Sequence, residues 1–122
     1  MRGRNRGVAR VDIIIIIIKL TQGRISTLRD LAEFLRDNVN VRSYDVYSQP
    51  DLFGRRGHDG GVARAAPLPG CKRVLTDIIG LSESQAKEAL DTLESAGFIR
   101  TSGELFIDLD TGRRYRLVEF LI

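Results

Sequence analysis

Few residues in this 122-residue chain are of the types that carry out covalent or metal chemistry. His58 is the only histidine and Cys71 the only cysteine, so no zinc-type ligand set can be assembled. Glu104, Asp108 and Asp110 fall close together around a turn, but without the ligand spacing of a calcium loop. Asp110-Thr111-Gly112 would suit one half of a proton-sharing aspartate pair, which needs an almost all-strand setting. Here helical patterns precede the triplet, Arg113-Arg114 follows it, and candidate strands flank it, so a turn is expected. Gly54-Arg55-Arg56-Gly57-His58-Asp59-Gly60-Gly61 lacks the Gly-Lys-Ser/Thr ending of a phosphate cradle. No nucleophile has a plausible base nearby. The chain is therefore expected not to be an enzyme, and to use neither metal nor cofactor.

What remains is charge. The formal net charge is +3, and lysine occurs only at Lys19, Lys72 and Lys87, the other cations being arginines. Arginine forks onto phosphates and carboxylates alike. Arg2, Arg4, Arg6 and Arg10 lie among glycines at the start of the chain. Two readings of residues 1–10 stand side by side: a solvated terminus, or a basic arm that follows a phosphate backbone or enters a minor groove. Arg100, Arg113, Arg114 and Arg116 gather towards the C-terminus. Segment 76–110 is acidic instead: Asp77, Glu83, Glu88, Asp91, Glu94, Glu104, Asp108 and Asp110 oppose only Lys87 and Arg100.

The elements that would position these groups are clearest between Val74 and Ile99. Val74, Leu75, Ile78 and Ile79 give a short helix one apolar face, and Gly80 stands where a left-handed residue ends a helix. Ser82 and Gln85 form a capping box for the next helix. Ala86, Ala89, Leu90, Leu93 and Ala96 recur at helical spacing as its buried stripe. Gly97 stops it, with Phe98 and Leu93 placed for the apolar contact of a Schellman motif. Glu104–Leu109 and Arg114–Ile122 then read as strands around Asp110-Thr111-Gly112-Arg113.

Two helices joined by Gly80-Leu81-Ser82 make a helix-turn-helix. Leu75-Thr76-Asp77-Ile78-Ile79-Gly80-Leu81-Ser82, followed by Ala89-Leu90-Asp91-Thr92-Leu93-Glu94-Ser95-Ala96-Gly97-Phe98-Ile99-Arg100, resembles the winged helix-turn-helix superfamily over roughly residues 72–122. The resemblance implies an α+β fold: a helical core with a C-terminal two-stranded β-wing, plus an extra N-terminal apolar helix. Helices are expected near 8–20, 27–38, 71–79 and 83–96, and the wing at 104–109 and 114–121. It also implies double-stranded DNA as partner, most simply for a transcriptional regulator. The second helix often sends basic side chains to DNA in this superfamily. Here the outer places hold Glu88, Asp91 and Thr92, leaving Ser82, Ser84, Gln85 and Lys87 on the first turns as candidate contacts, joined by the wing and arm arginines. Carboxylates facing phosphates oppose binding. A protein-docking module in a transcription, replication or segregation complex is thus the competing reading, since this fold serves both purposes.

The rest of the chain sets bounds. Its length suits one domain, 11–122, behind the arm. A lone cysteine rules out an intrachain disulfide and fits a reducing cytoplasm. The run Ile13–Ile18 is bracketed by Asp12 and Lys19 and has no small-residue cleavage site after it. It is also far short of the ~18–20 residues that span a membrane. Six isoleucines favour a strand by propensity. Val8, Val11, Ile14, Ile15 and Ile18 recur at helical spacing, and Gln22-Gly23 suits a helix stop, so helix is preferred. A helix apolar on every side needs cover on every side, which implies a homodimer through residues 11–20. Arg24-Ile25-Ser26 could form a short strand. Thr27 caps a helix with Leu28, Leu31, Ala32 and Leu35 on its inner stripe. Between Val39 and Gly70, Gly, Pro and Asp break the helical pattern. An insertion is expected there, with a short strand or hairpin at Val39–Tyr47 and a mobile stretch at Arg55–Gly61. The expected core is Leu31, Leu35, Leu75, Ile78, Leu81, Ala86, Leu90, Leu93, Phe98 and Ile99.

Overall fold

A computed structural model describes residues 13–45, 62–103 and 105–122, and the fold is α+β. The first helix, α1 (13–20), is a helix as expected despite the strand propensity of its isoleucines, but its phase differs: Ile14, Ile15 and Ile18, the expected apolar face, are half-buried or exposed. Ile13 and Ile17 are fully buried and Ile16 packs against the same core, so tertiary burial outweighs the weak helix preference of β-branched residues. The helix ends where Gln22 and Gly23 take successive left-handed conformations, φ 54° and 83°, and Gly23 N–H donates back to Ile18 O at 2.9 Å. Arg24–Ser26 is not a strand. Thr21 organises this corner instead: its buried hydroxyl donates to Ile17 O at 2.8 Å and accepts from Ile25 N–H at 3.1 Å.

Helix α2 (Leu28–Asn38) starts at the Thr27 cap, whose hydroxyl accepts from Asp30 N–H at 3.0 Å, and buries Leu31, Ala32 and Leu35. Strand β1 (Arg42–Asp45) pairs antiparallel with β2 (Val62–Pro67). The strand expected within Val39–Tyr47 is therefore present as β1, and the far end of the insertion is structured as well. The insertion's second half supplies a strand that lies between two others, and helix α3 (Leu68–Arg73) follows directly, beginning earlier than the expected residue 71. Pro67 and Pro69 suit this start, because a first helical turn needs no N–H from them. The expected mobile stretch Arg55–Gly61 lies outside the described residues, as do the arm and residues 8–12 of the expected first helix.

Helix α3 runs on as a π-helical segment, Val74–Ile79, closed at Gly80, φ 99°. Gly80 N–H reaches Leu75 O, five residues back, at 3.1 Å. The wider winding corrects one core expectation. Each turn takes up an additional residue, so Val74, Leu75 and Ile79 are buried while Ile78 is rotated outwards and left 56% exposed. Helix α4 (Glu83–Ser95) has both halves of the Ser82–Gln85 capping box, at 3.1 and 2.9 Å. Ala86, Ala89, Leu90 and Leu93 face the core; Ala96 falls at the C-cap and is exposed. Gly97 at φ 87° and the bond from Phe98 N–H to Leu93 O at 3.0 Å complete the expected Schellman ending.

Strands β3 (Ile99–Thr101), β4 (Phe106–Ile107), β5 (Arg114–Tyr115) and β6 (Leu117–Phe120) finish the chain. Among the described residues, β1–β2–β6–β3 form one antiparallel sheet and β4–β5 a separate ribbon. This corrects the expected wing, because the second expected strand breaks at Arg116. Its inner part pairs with β3 and β2; only its outer part pairs with β4. Thr101 opposes Val118 and Phe106 opposes Tyr115, so the register slips at the break between the two pairings, with Arg116 and Leu117 alone on the facing side. Ser102 bridges it: its N–H donates to Leu117 O at 2.8 Å and its hydroxyl accepts from Leu117 N–H at 2.9 Å. A side chain thus takes the place of a ladder carbonyl, as at a bulge. Beneath the sheet, Ile13, Ile17, Leu31, Leu35, Leu75, Leu93, Ile99 and Val118 share one core.

Candidate nucleic-acid interface

The first turn of α4 presents Ser82, Ser84 and Lys87 to solvent, with the two serine hydroxyls 3.3 Å apart. Gln85 is differently occupied. Its side-chain oxygen holds Ser82 N–H, so the residue secures the helix start before it can address any partner. Lys87 Nζ lies 3.5 Å from Asp91, one turn along, and both side chains are well exposed. Such a surface pair contributes little and yields readily to a phosphate.

Beside this turn, Lys72, Arg73 and Thr76 of the α3 helix share an open cleft of about 360 Å³ with Asp77, Glu83 and Ala86. Lys72 and Arg73 belong to no recognisable motif. Their only sequence signal is two adjacent cations midway along the helix that α3 and the π-helical segment form together. The cleft's two cations are balanced by Asp77 and Glu83, so the helix pair offers donors to an anion but no basic face.

The C-terminal arginines divide by position. Arg113 and Arg114 are exposed on the outer ribbon. Ile107 faces Arg114 across the ladder, and Phe106 faces Tyr115 with ring centroids 6.2 Å apart. Arg116 is tied down: its Nη1 donates to Ser102 O at 3.1 Å and Gly103 O at 2.8 Å, carbonyls set free by the bulge. Arg100 lies on β3 opposite the buried Glu119 of β6. Arg2, Arg4 and Arg6 lie outside the described residues.

The acidic residues divide likewise. Glu94 joins α4 to β3 by accepting from Thr101 N–H at 3.2 Å and from its hydroxyl at 3.1 Å. Asp91 remains at the surface. Glu88 is half-buried, and its Oε2 is enclosed without a hydrogen-bond partner among the described residues. Asp108 shapes the ribbon's turn by accepting from Asp110 N–H at 2.8 Å and Thr111 N–H at 3.3 Å, and Gly112 takes φ 74°. The Asp110-Thr111-Gly112 triplet is accordingly a turn.

Among the described residues no cluster of three His, Cys, Asp or Glu side chains is arranged to hold a metal ion, and His58 lies outside them. Cys71 is enclosed in the core, where burial pushes its thiol up to about 12 and so away from the reactive thiolate. No described helix is long and apolar enough to cross a membrane. Set against known protein families, characterised proteins and solved structures, the chain matches none of them.

Proposed function

We propose that this chain is a winged helix-turn-helix protein that binds double-stranded DNA, as a homodimeric transcriptional regulator of the cytoplasm. The observation that carries the reading is the order β2–β6–β3, with the helix pair packed against the sheet and the β3–β6 hairpin prolonged outwards as an arginine-bearing ribbon. In that arrangement α4 is the helix directed at a groove and the β4–β5 ribbon is the wing. Arg113 and Arg114 contact phosphates. The exposed Ser84 and Lys87, with Lys72 and Arg73 beside them, supply further donors around the positive end of α4. The acidic later turns of α4 limit how deeply it enters, so phosphate contacts dominate and sequence discrimination is modest.

A titration of a random-sequence duplex at two salt concentrations tests this. Arg113→Ala/Arg114→Ala should weaken binding and flatten the dependence of log K on log salt by about one unit for each phosphate left without its arginine. Glu88→Lys should tighten non-specific binding. If neither change moves duplex affinity, DNA is not the partner. The alternative, a winged-helix module that docks another protein, is favoured by one feature: Leu105, Ile107 and Leu109 on the ribbon are all exposed, as befits a contact surface for protein.

A further inference from the structure

The outward rotation of Ile78 by the π-helical segment has a second consequence. Ile78 and the 47%-exposed Leu20 at the end of α1 border a groove of about 390 Å³, with Phe34 of α2 in its wall. That volume lies within the ~300–1,000 Å³ of sites that enclose a ligand or an anchoring side chain. Asp30, Glu33 and Asp37 line it from α2 against the single guanidinium of Arg24. Asp30 is held by Ser26 at the start of α2. Among the described residues, Glu33 and Asp37 are met along their own helix, by Arg29 at 3.3 Å and Arg36 at 3.5 Å, in exposed pairs that exchange at little cost. π-Helical turns recur at functional sites, and this one places a large aliphatic side chain in water at the mouth of an acid-lined groove.

The β4–β5 ribbon is chemically complementary. Ile107 is 57% exposed and Leu109, at the turn, 94%. Arg114 stands directly across from Ile107, with Arg113 next to it. The ribbon therefore offers aliphatic side chains beside two cations, and the groove an aliphatic border beside carboxylates. We propose that the groove receives the outer ribbon of a second copy of this chain. Leu109 and Ile107 enter between Leu20 and Ile78, while Arg113 and Arg114 exchange into pairs with Glu33 and Asp37. A ribbon this narrow buries less than the ~1,200 Å² of a stable specific interface, so the contact is weak and concentration-dependent. The contact stands without the DNA reading; where that reading also holds, the shared Arg113 and Arg114 make the two forms of binding compete.

Mixing two variants that each carry one added cysteine, in the absence of DNA, tests the contact. Ile78→Cys and Leu109→Cys both alter exposed positions, and the enclosed Cys71 stays out of disulfide exchange. Under mild oxidation, the mixture should give a disulfide-linked pair, one chain of each variant, at several times the yield of either variant alone. Adding Glu33→Lys/Asp37→Lys to the Ile78→Cys chain should abolish that preference, and unchanged melting curves would establish that all variants are folded. Equal yields in all three samples, no cross-link in the mixture, or indifference to the charge reversal would each overturn the proposal. Loss of duplex binding elsewhere would not bear on it.

Discussion

At the scale of single residues, much of the chain's polar chemistry serves backbone geometry. Arg116 illustrates this: charge alone makes it a candidate for phosphate, whereas it holds two carbonyls released by the Ser102 bulge. Nothing local in Ser102-Gly103 announces a two-residue slip, because the slip depends on which strands β6 joins. The helix caps are legible because their partners lie within three or four residues. Asp30 belongs to that class. It accepts from Ser26 backbone N–H at 3.2 Å and hydroxyl at 3.1 Å, and the Ser26 backbone bond is the first cause holding its carboxyl below the ordinary 3.8. A carboxyl lowered on folding adds stability above its unfolded value, and that contribution is lost as the pH falls through the folded value. Asp30→Asn should therefore melt below the wild type at pH 7, and the gap should close as the pH is taken below 3.8 and then through the lower folded value. Thermal unfolding followed by circular dichroism at stepped pH measures it; a gap independent of pH would show that the ionised carboxylate is not what holds the start of α2.

At the scale of elements, burial decides what propensity leaves open. Six isoleucines would suit a strand, yet Ile13 and Ile17 are buried while Ile15 between them is exposed, a pattern that a helix gives and a strand does not, and the buried face closes the core against Leu31 and Leu35. β2 is illegible in the sequence because Val62–Pro67 is short, rich in alanine and ends in proline; it becomes a strand through its register with β6 and β1. The π-helical segment is equally hidden. Leu75, Ile78 and Ile79 fit an α-helical stripe, and only the closure of Gly80 on Leu75 changes their phase. The two phases give opposite expectations for neighbouring positions. Leu90→Ala, in the core face of α4, should cost ~2–5 kcal/mol. Ile78→Ala should cost under ~1 kcal/mol, because the side chain leaves no cavity. Chemical denaturation of both variants checks this, and a large loss at Ile78 would mean that the segment winds as an ordinary α-helix.

At the scale of the whole molecule, the remaining question is what covers the far side of α1. Ile13 and Ile17 are enclosed, while Ile14 and Ile18 are half-buried and Ile15 is 41% exposed. At about 100° per residue these three fall on one arc, turned away from the core side of the helix. They leave an aliphatic strip of the kind soluble monomers rarely keep in water. Full burial of an isoleucine contributes ~1.5–3 kcal/mol, and these side chains retain only part of that to gain. The proposed dimer is therefore weaker than an obligate one. A two-fold pairing of α1 with α1 presents two wings together, and two-fold assemblies suit palindromic sites repeated about every 34–36 Å of duplex. Ile15→Asp separates this pairing from folding, because the change sits outside the core face of α1. Sedimentation velocity should find the wild type dimeric and Ile15→Asp monomeric, with an unchanged far-ultraviolet spectrum and a similar melting temperature. A monomeric wild type, or an Ile15→Asp protein that remains dimeric, would remove α1 from the interface.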